Sequence, residues 1–135
     1  MSRLAYNTNN NNNKTPVHQR IMANLQFEAS WIDLASGDRI SVEGLTENLG
    51  ENTALLNLEI LPPVGSAVTL RIFDEERTLI EVPTQVIRVE RDPSKPLAAL
   101  SILENLKKWR TNVLTAAQDW VTRHWRLNYE EEWVN

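Results

Sequence analysis

Arg20 and the run Asn48-Leu49-Gly50-Glu51-Asn52-Thr53 are the residues whose types best suit chemistry, and that chemistry is the binding of an anion. A guanidinium is permanently charged and presents a planar fork of donors that pairs with phosphate or with the edge of a purine. A turn of short polar residues adds neutral hydrogen-bonding groups, and a glycine in it lets a backbone come close to a ligand. Catalytic constellations are weak by comparison. There is no cysteine and no phosphate-cradling glycine-rich motif, and the two histidines, His18 and His124, have no metal-ligand spacing. No pair of carboxylates is singled out for acid–base work. The expectation is a protein that binds rather than catalyses, with no metal and no cofactor.

The elements that position these residues follow from hydrophobic periodicity. Ala23, Leu25, Phe27, Ala29 and Trp31 alternate with Asn24, Gln26, Glu28 and Ser30, the period of a half-buried strand. Ala35-Ser36-Gly37-Asp38 reads as a hairpin turn with Gly37 at positive φ. A second strand is expected over Arg39 to Thr46, a polar turn over Asn48 to Asn52, and a third strand over Thr53 to Ile60. Leu61-Pro62-Pro63-Val64-Gly65-Ser66 breaks the pairing. Val68, Leu70 and Ile72 mark a fourth strand, Asp74-Glu75-Glu76-Arg77 a charged turn, and Leu79 to Arg91 a fifth strand with Pro83 at an edge or bulge. Leu97 to Leu103 is the sixth. Short strands with regular turn signals predict a mainly β sandwich or barrel.

The pattern then changes. From Glu104 to about Arg126 there is no Pro or Gly, and Leu106, Trp109, Val113, Ala116 or Ala117, Trp120 and Leu127 recur at three- and four-residue spacing, an amphipathic helix. The organisation read from the sequence is an Asn-rich tail over residues 1–17 with too little apolar content to order itself, a β unit over 18–103, a helix over 104–127 and an acidic tail over 128–135. Length predicts one domain for 135 residues, 41% hydrophobic and 24% charged. A net charge of −4 and a pI near 5.2 argue against general DNA or RNA binding while leaving room for a local anion site. No apolar run is long enough to insert in a membrane and no signal peptide is evident, so a cytoplasmic protein is expected.

The ordering of these motifs resembles the PilZ domain, the cyclic di-GMP receptor module. That family binds its ligand through an Arg-x-x-x-Arg motif and an Asp/Asn-x-Ser-x-x-Gly motif. Here the first reads Arg20-Ile21-Met22-Ala23-Asn24 and the second Asn48-Leu49-Gly50-Glu51-Asn52-Thr53. The resemblance covers roughly residues 18 to 103 and implies a six-stranded antiparallel β-barrel followed by a long C-terminal α-helix, with cyclic di-GMP held against the outside of the barrel. The implied binding positions are Arg20, Asn24, Asn48, Gly50 and Thr53. Arg20 and Asn48 match the family. Asn24 stands in place of the second arginine and removes a charge and a stacking plane, Gly50 replaces the serine, and Thr53 replaces the glycine with a β-branched residue. Lys14, His18, Gln19, Arg39, Arg88 and Arg91 could supply the missing contacts or could be solvated surface residues.

The helix after the barrel is similar to the region following PilZ in bacterial cellulose synthase catalytic subunits; with Met1 at its start and no transferase or membrane segment, this chain is expected to be a free-standing relative. Trp109, Trp120 and Trp125 either pack on the barrel or form a surface for an unidentified protein partner, and near-heptad spacing could support a homodimer through the helix. Three functions stay open: a cyclic di-GMP receptor or adaptor relaying nucleotide level to a partner, a PilZ adaptor that acts by protein contact without nucleotide, and an unrelated small barrel. Arg20 and Asn48 on opposite sides of the domain would establish the last.

Overall fold

In the computed structural model, which describes residues 20–134 and side chains as far as residue 125, six antiparallel strands close into a barrel. They are β1 (Gln26–Ile32), β2 (Arg39–Leu49), β3 (Thr53–Asn57), β4 (Ala67–Asp74), β5 (Arg77–Glu90) and β6 (Leu97–Ile102). The order around the barrel is β1-β2-β3-β6-β5-β4, and β4 closes against β1. The alternation that marks the strands becomes the inside and outside of the barrel. Phe27, Leu49, Leu56, Leu70, Ile72, Val82, Val86 and Leu100 are buried within it. Gly44 faces Phe27 across β1 and β2, and a Cβ there would lie 2.8 Å from the Asn57 carbonyl oxygen and 3.1 Å from the Phe27 ring. Only glycine allows so close a crossing.

The turns carry the chemistry their sequences require. Gly37 sits at φ 79° and its N–H donates to the Asp33 carbonyl at 2.7 Å, closing the β1–β2 hairpin. Three strand expectations need correction. β2 continues past Thr46 to Leu49, through a register shift between Thr46 and Asn48. β3 stops at Asn57, and Leu58 turns its N–H to the Pro96 carbonyl at 3.1 Å while its side chain stays buried. Pro83 occupies neither an edge nor a bulge: it pairs with Thr69 of β4, and its carbonyl accepts from Leu103 just beyond the end of β6. In an antiparallel ladder the N and O of one residue point to the same neighbour, so the donor Pro83 lacks falls where β6 has ended.

The C-terminal helix begins at Leu106, after Asn105 in a left-handed conformation (φ 60°). It comprises α1 (Leu106–Lys108), a π-helical segment (Trp109–Leu114) and α2 (Thr115–Val134). The backbone of 128–134 is therefore helical, where a separate acidic tail was expected; no Pro or Gly interrupts it. The widened π turns set Trp109 and Val113 wholly inside the core, and the small residues Ala116 and Ala117 bring α2 against it. Trp109 is thus core and not partner surface. Its indole N–H donates to the Gly50 carbonyl at 2.9 Å, satisfying a buried polar atom at each end of the bond. Trp109→Ala is expected to lower stability by roughly 3–5 kcal/mol in urea unfolding, because it opens a large cavity and orphans the Gly50 carbonyl. Trp109→Phe, which loses the hydrogen bond and less volume, should cost about half of that or less.

Candidate functional site

Residues 20–25, just ahead of β1, run beside the end of β2. Ile21 and Leu49 exchange backbone hydrogen bonds at 2.8 and 3.0 Å. The buried Thr46 hydroxyl donates to the Ala23 carbonyl at 2.6 Å and accepts from the Leu25 N–H at 2.9 Å, and the Thr46 N–H donates to the Leu25 carbonyl at 2.9 Å. This ladder brings Arg20 to the polar turn between β2 and β3, where its Nη1 donates to Asn48 Oδ1 at 2.9 Å. Arg20 and Asn48 stand in contact on one side of the barrel, not on the opposite sides that would have established an unrelated barrel.

A β-bulge aims Asn48. Thr46 pairs with Leu56 and both face the interior; after the shift Asn48 pairs with Leu55, and both face outward. Asn48 is nonetheless only 7% exposed, so its carbonyl oxygen depends on Arg20 for a partner. Gly50 is buried: its N–H donates to the Thr53 carbonyl at 2.8 Å and its own carbonyl takes the Trp109 indole. Thr53, half-buried, opens β3 opposite Ser101. The amide of Asn24 donates to the Thr46 carbonyl at 2.8 Å, so the residue standing for the second arginine is tied to the backbone of β2. Arg20, Asn48, Gly50 and Thr53 gather at one turn, and Asn24 belongs to the segment that delivers Arg20 to it.

Charge around the turn is mixed. Lys95 pairs with Glu47, and Arg110 lies 3.8 Å from Glu51. Hydrogen bonds from the Ser94 hydroxyl and N–H hold the Asp92 carboxyl below the usual carboxylate range, on the exposed turn after β5. Arg39 donates to the Ser30 hydroxyl across β1, and Arg88 pairs with Glu90. Lys14, His18 and Gln19 lie outside the described residues. Among the described residues there is no cluster able to hold a metal ion, and no helix is long and apolar enough to cross a membrane.

Of the other two tryptophans, Trp120 is half-buried against the core and stacks on His124 with ring centroids 3.7 Å apart, while Trp125 is 65% exposed. A groove of about 390 Å³ lies between Arg20, Ile21 and Met22 on one side and Gln118, Val121 and Thr122 of α2 on the other. Sequence reading missed a small apolar cluster on the outside of the barrel, formed by Leu55, Leu97 and Ala99. Its signal was the unbroken Ala54-Leu55-Leu56, a strand apolar on both faces.

No protein-family model matches this chain, and no curated protein matches it. Solved structures do. The inhibitor of motility MotI/DgrA of Bacillus subtilis is 20% identical over 84% of this chain and 53% of its own, with a TM-score of 0.57. YcgR of Escherichia coli in complex with c-di-GMP is 12% identical over 84% of this chain and 49% of its own, TM-score 0.58. The PilZ domain of YcgR with c-di-GMP is 13% identical over 87% of this chain and 98% of its own, TM-score 0.60. The chain thus spans about half the length of the first two proteins and nearly the whole of the isolated domain. At these identities the likeness is one of fold.

A double-mutant cycle on Arg20→Ala and Asn48→Ala should give a coupling of about 1 kcal/mol in urea unfolding, the size of a charge-assisted contact that is partly screened. Additive effects would show that the pair does not hold the segment to the turn.

Proposed function

We propose, for a chain whose fold is that of a PilZ domain, that it is a cyclic di-GMP receptor acting in the cytoplasm by binding alone and passing the nucleotide level to a partner protein. The observation that carries this reading is the contact between Arg20 and Asn48 at the mouth of the β2–β3 turn. One guanidinium nitrogen is engaged by Asn48, which orients the fork; the remaining donors are left to meet a phosphate, or O6 and N7 of a guanine. The segment from Arg20 to Leu25 is laid along β2 by backbone bonds, so a ligand seated on Arg20 would stiffen it. The same segment walls the groove against α2, and a change in it would alter the surface that α2 offers a partner.

A second reading, an adaptor that contacts proteins without nucleotide, is favoured by one observation: Asn24 is neutral and its amide is already bound to the Thr46 carbonyl. Losing one charge-assisted contact to phosphate costs on the order of 1.5–3 kcal/mol, at least about tenfold in affinity. Isothermal titration separates the two. Saturable binding of cyclic di-GMP, abolished by Arg20→Ala, is the result expected. No heat up to roughly 100 μM ligand, about −5.5 kcal/mol, would sink the receptor reading. Asn24→Arg should tighten binding if the rest of the site is intact.

A further inference from the structure

The outer face of the barrel carries a row of residues that four strands hold in register. Asn48 of β2 pairs with Leu55 of β3, Leu55 with Ala99 of β6, and Ala99 with Arg88 of β5. The middle of the row is an apolar floor: Leu55, Ala99 and the adjacent Leu97 are 8%, 6% and 9% exposed and form a cluster separate from the core. On β1, β2 and β4 the outer face carries a polar cluster, with Ser41 and Arg71 both donating to Glu28.

Each end of the row is made by a β-bulge. The shift between Thr46 and Asn48 turns Asn48 outward. The shift between Val86 and Arg88 does the same on β5: Val86 faces the core opposite Leu100, then Arg88 faces out opposite Ala99, and Val89 faces in opposite Ala98. Without the extra residue, alternation would carry Arg88 into the interior. Bulges beside sites commonly re-aim a side chain, and here two of them bring polar residues onto one face. Three interstrand steps of ~4.8 Å separate the two ends by roughly 14 Å.

We propose that Arg88 is the second cationic contact of this face, so that a ligand with two phosphates lies over Leu55 and Ala99 between Arg20 at one end and Arg88 at the other. The proposal rests on the nucleotide reading and supplies the charge that Asn24 lacks. The Arg88 side chain is half-exposed and paired with Glu90, itself half-exposed, on the same face. Such surface pairs contribute little, so an incoming phosphate can take the guanidinium from Glu90 at small cost. Arg39 is engaged with Ser30 across β1, and Lys95 with Glu47.

The test is titration of cyclic di-GMP, and of 5′-GMP with its single phosphate, into the full chain and its Arg88→Gln, Glu90→Gln and Arg77→Gln variants, with thermal unfolding of each. Arg77 lies at the other end of β5, paired with Asp74, and controls for net charge. Expected are a loss of at least about tenfold in cyclic di-GMP affinity for Arg88→Gln, a gain for Glu90→Gln, little change for Arg77→Gln, and 5′-GMP binding insensitive to Arg88. Cyclic di-GMP affinity within about twofold of wild type in Arg88→Gln, with binding still lost in Arg20→Ala, would overturn the assignment of Arg88 and leave the receptor reading standing. No binding by the wild-type chain would overturn both.

Discussion

The hydrogen bond from the Trp109 indole to the Gly50 carbonyl is the constraint on which the rest of the structure depends. The barrel needs an apolar body to fill its open end, and Trp109 with Val113 supplies one. The β2–β3 turn needs a donor for a carbonyl that the strands cannot satisfy, and the same side chain supplies it. One residue thereby joins the helix, the core and the turn that carries the candidate site. The widened turns from Trp109 to Leu114 are the local distortion that lets the helix set both Trp109 and Val113 into the barrel.

The site stands outside this packed assembly. Arg20, Asn48, Thr53 and the floor of Leu55, Leu97 and Ala99 line the outer face, while the residues that hold the barrel shut point the other way. Alternation along a strand separates the two tasks. The bulges in β2 and β5 are where they meet, because one extra residue moves a side chain from one side of the wall to the other. That geometry lets the polar residues of the outer face vary while the fold stays recognisable at 12–20% identity.

Much of this was legible in the chain. Period-two alternation from Ala23 to Trp31, the Gly37 turn and the helical stripe after Glu104 gave the six strands and the helix, since each expresses local geometry that sequence records directly. The juxtaposition of Arg20 with Asn48 was legible only through motif order. The bulges were not: one inserted residue changes parity without changing composition, so Asn48 and Arg88 carried no mark of the face they would occupy. Pro83 misled because the rule against central prolines concerns the missing donor, and the end of β6 removes the need for it. For Trp109 the stripe showed that it would be covered, but not by what; a periodicity names a face and not its neighbour.

The plug at Trp109 also sets an order of events during synthesis. All six strands precede it in the chain, and closing the barrel already requires distant pairings, β1 with β4 and β3 with β6. While residues 109–117 are still inside the ribosome, the interior lined by Phe27, Leu49 and Leu56 has no stopper and stays wet. A nascent chain in that condition is a set of sticky strands searching for long-range partners, the situation in which aggregation competes best. The barrel can be sealed only once the helix has emerged.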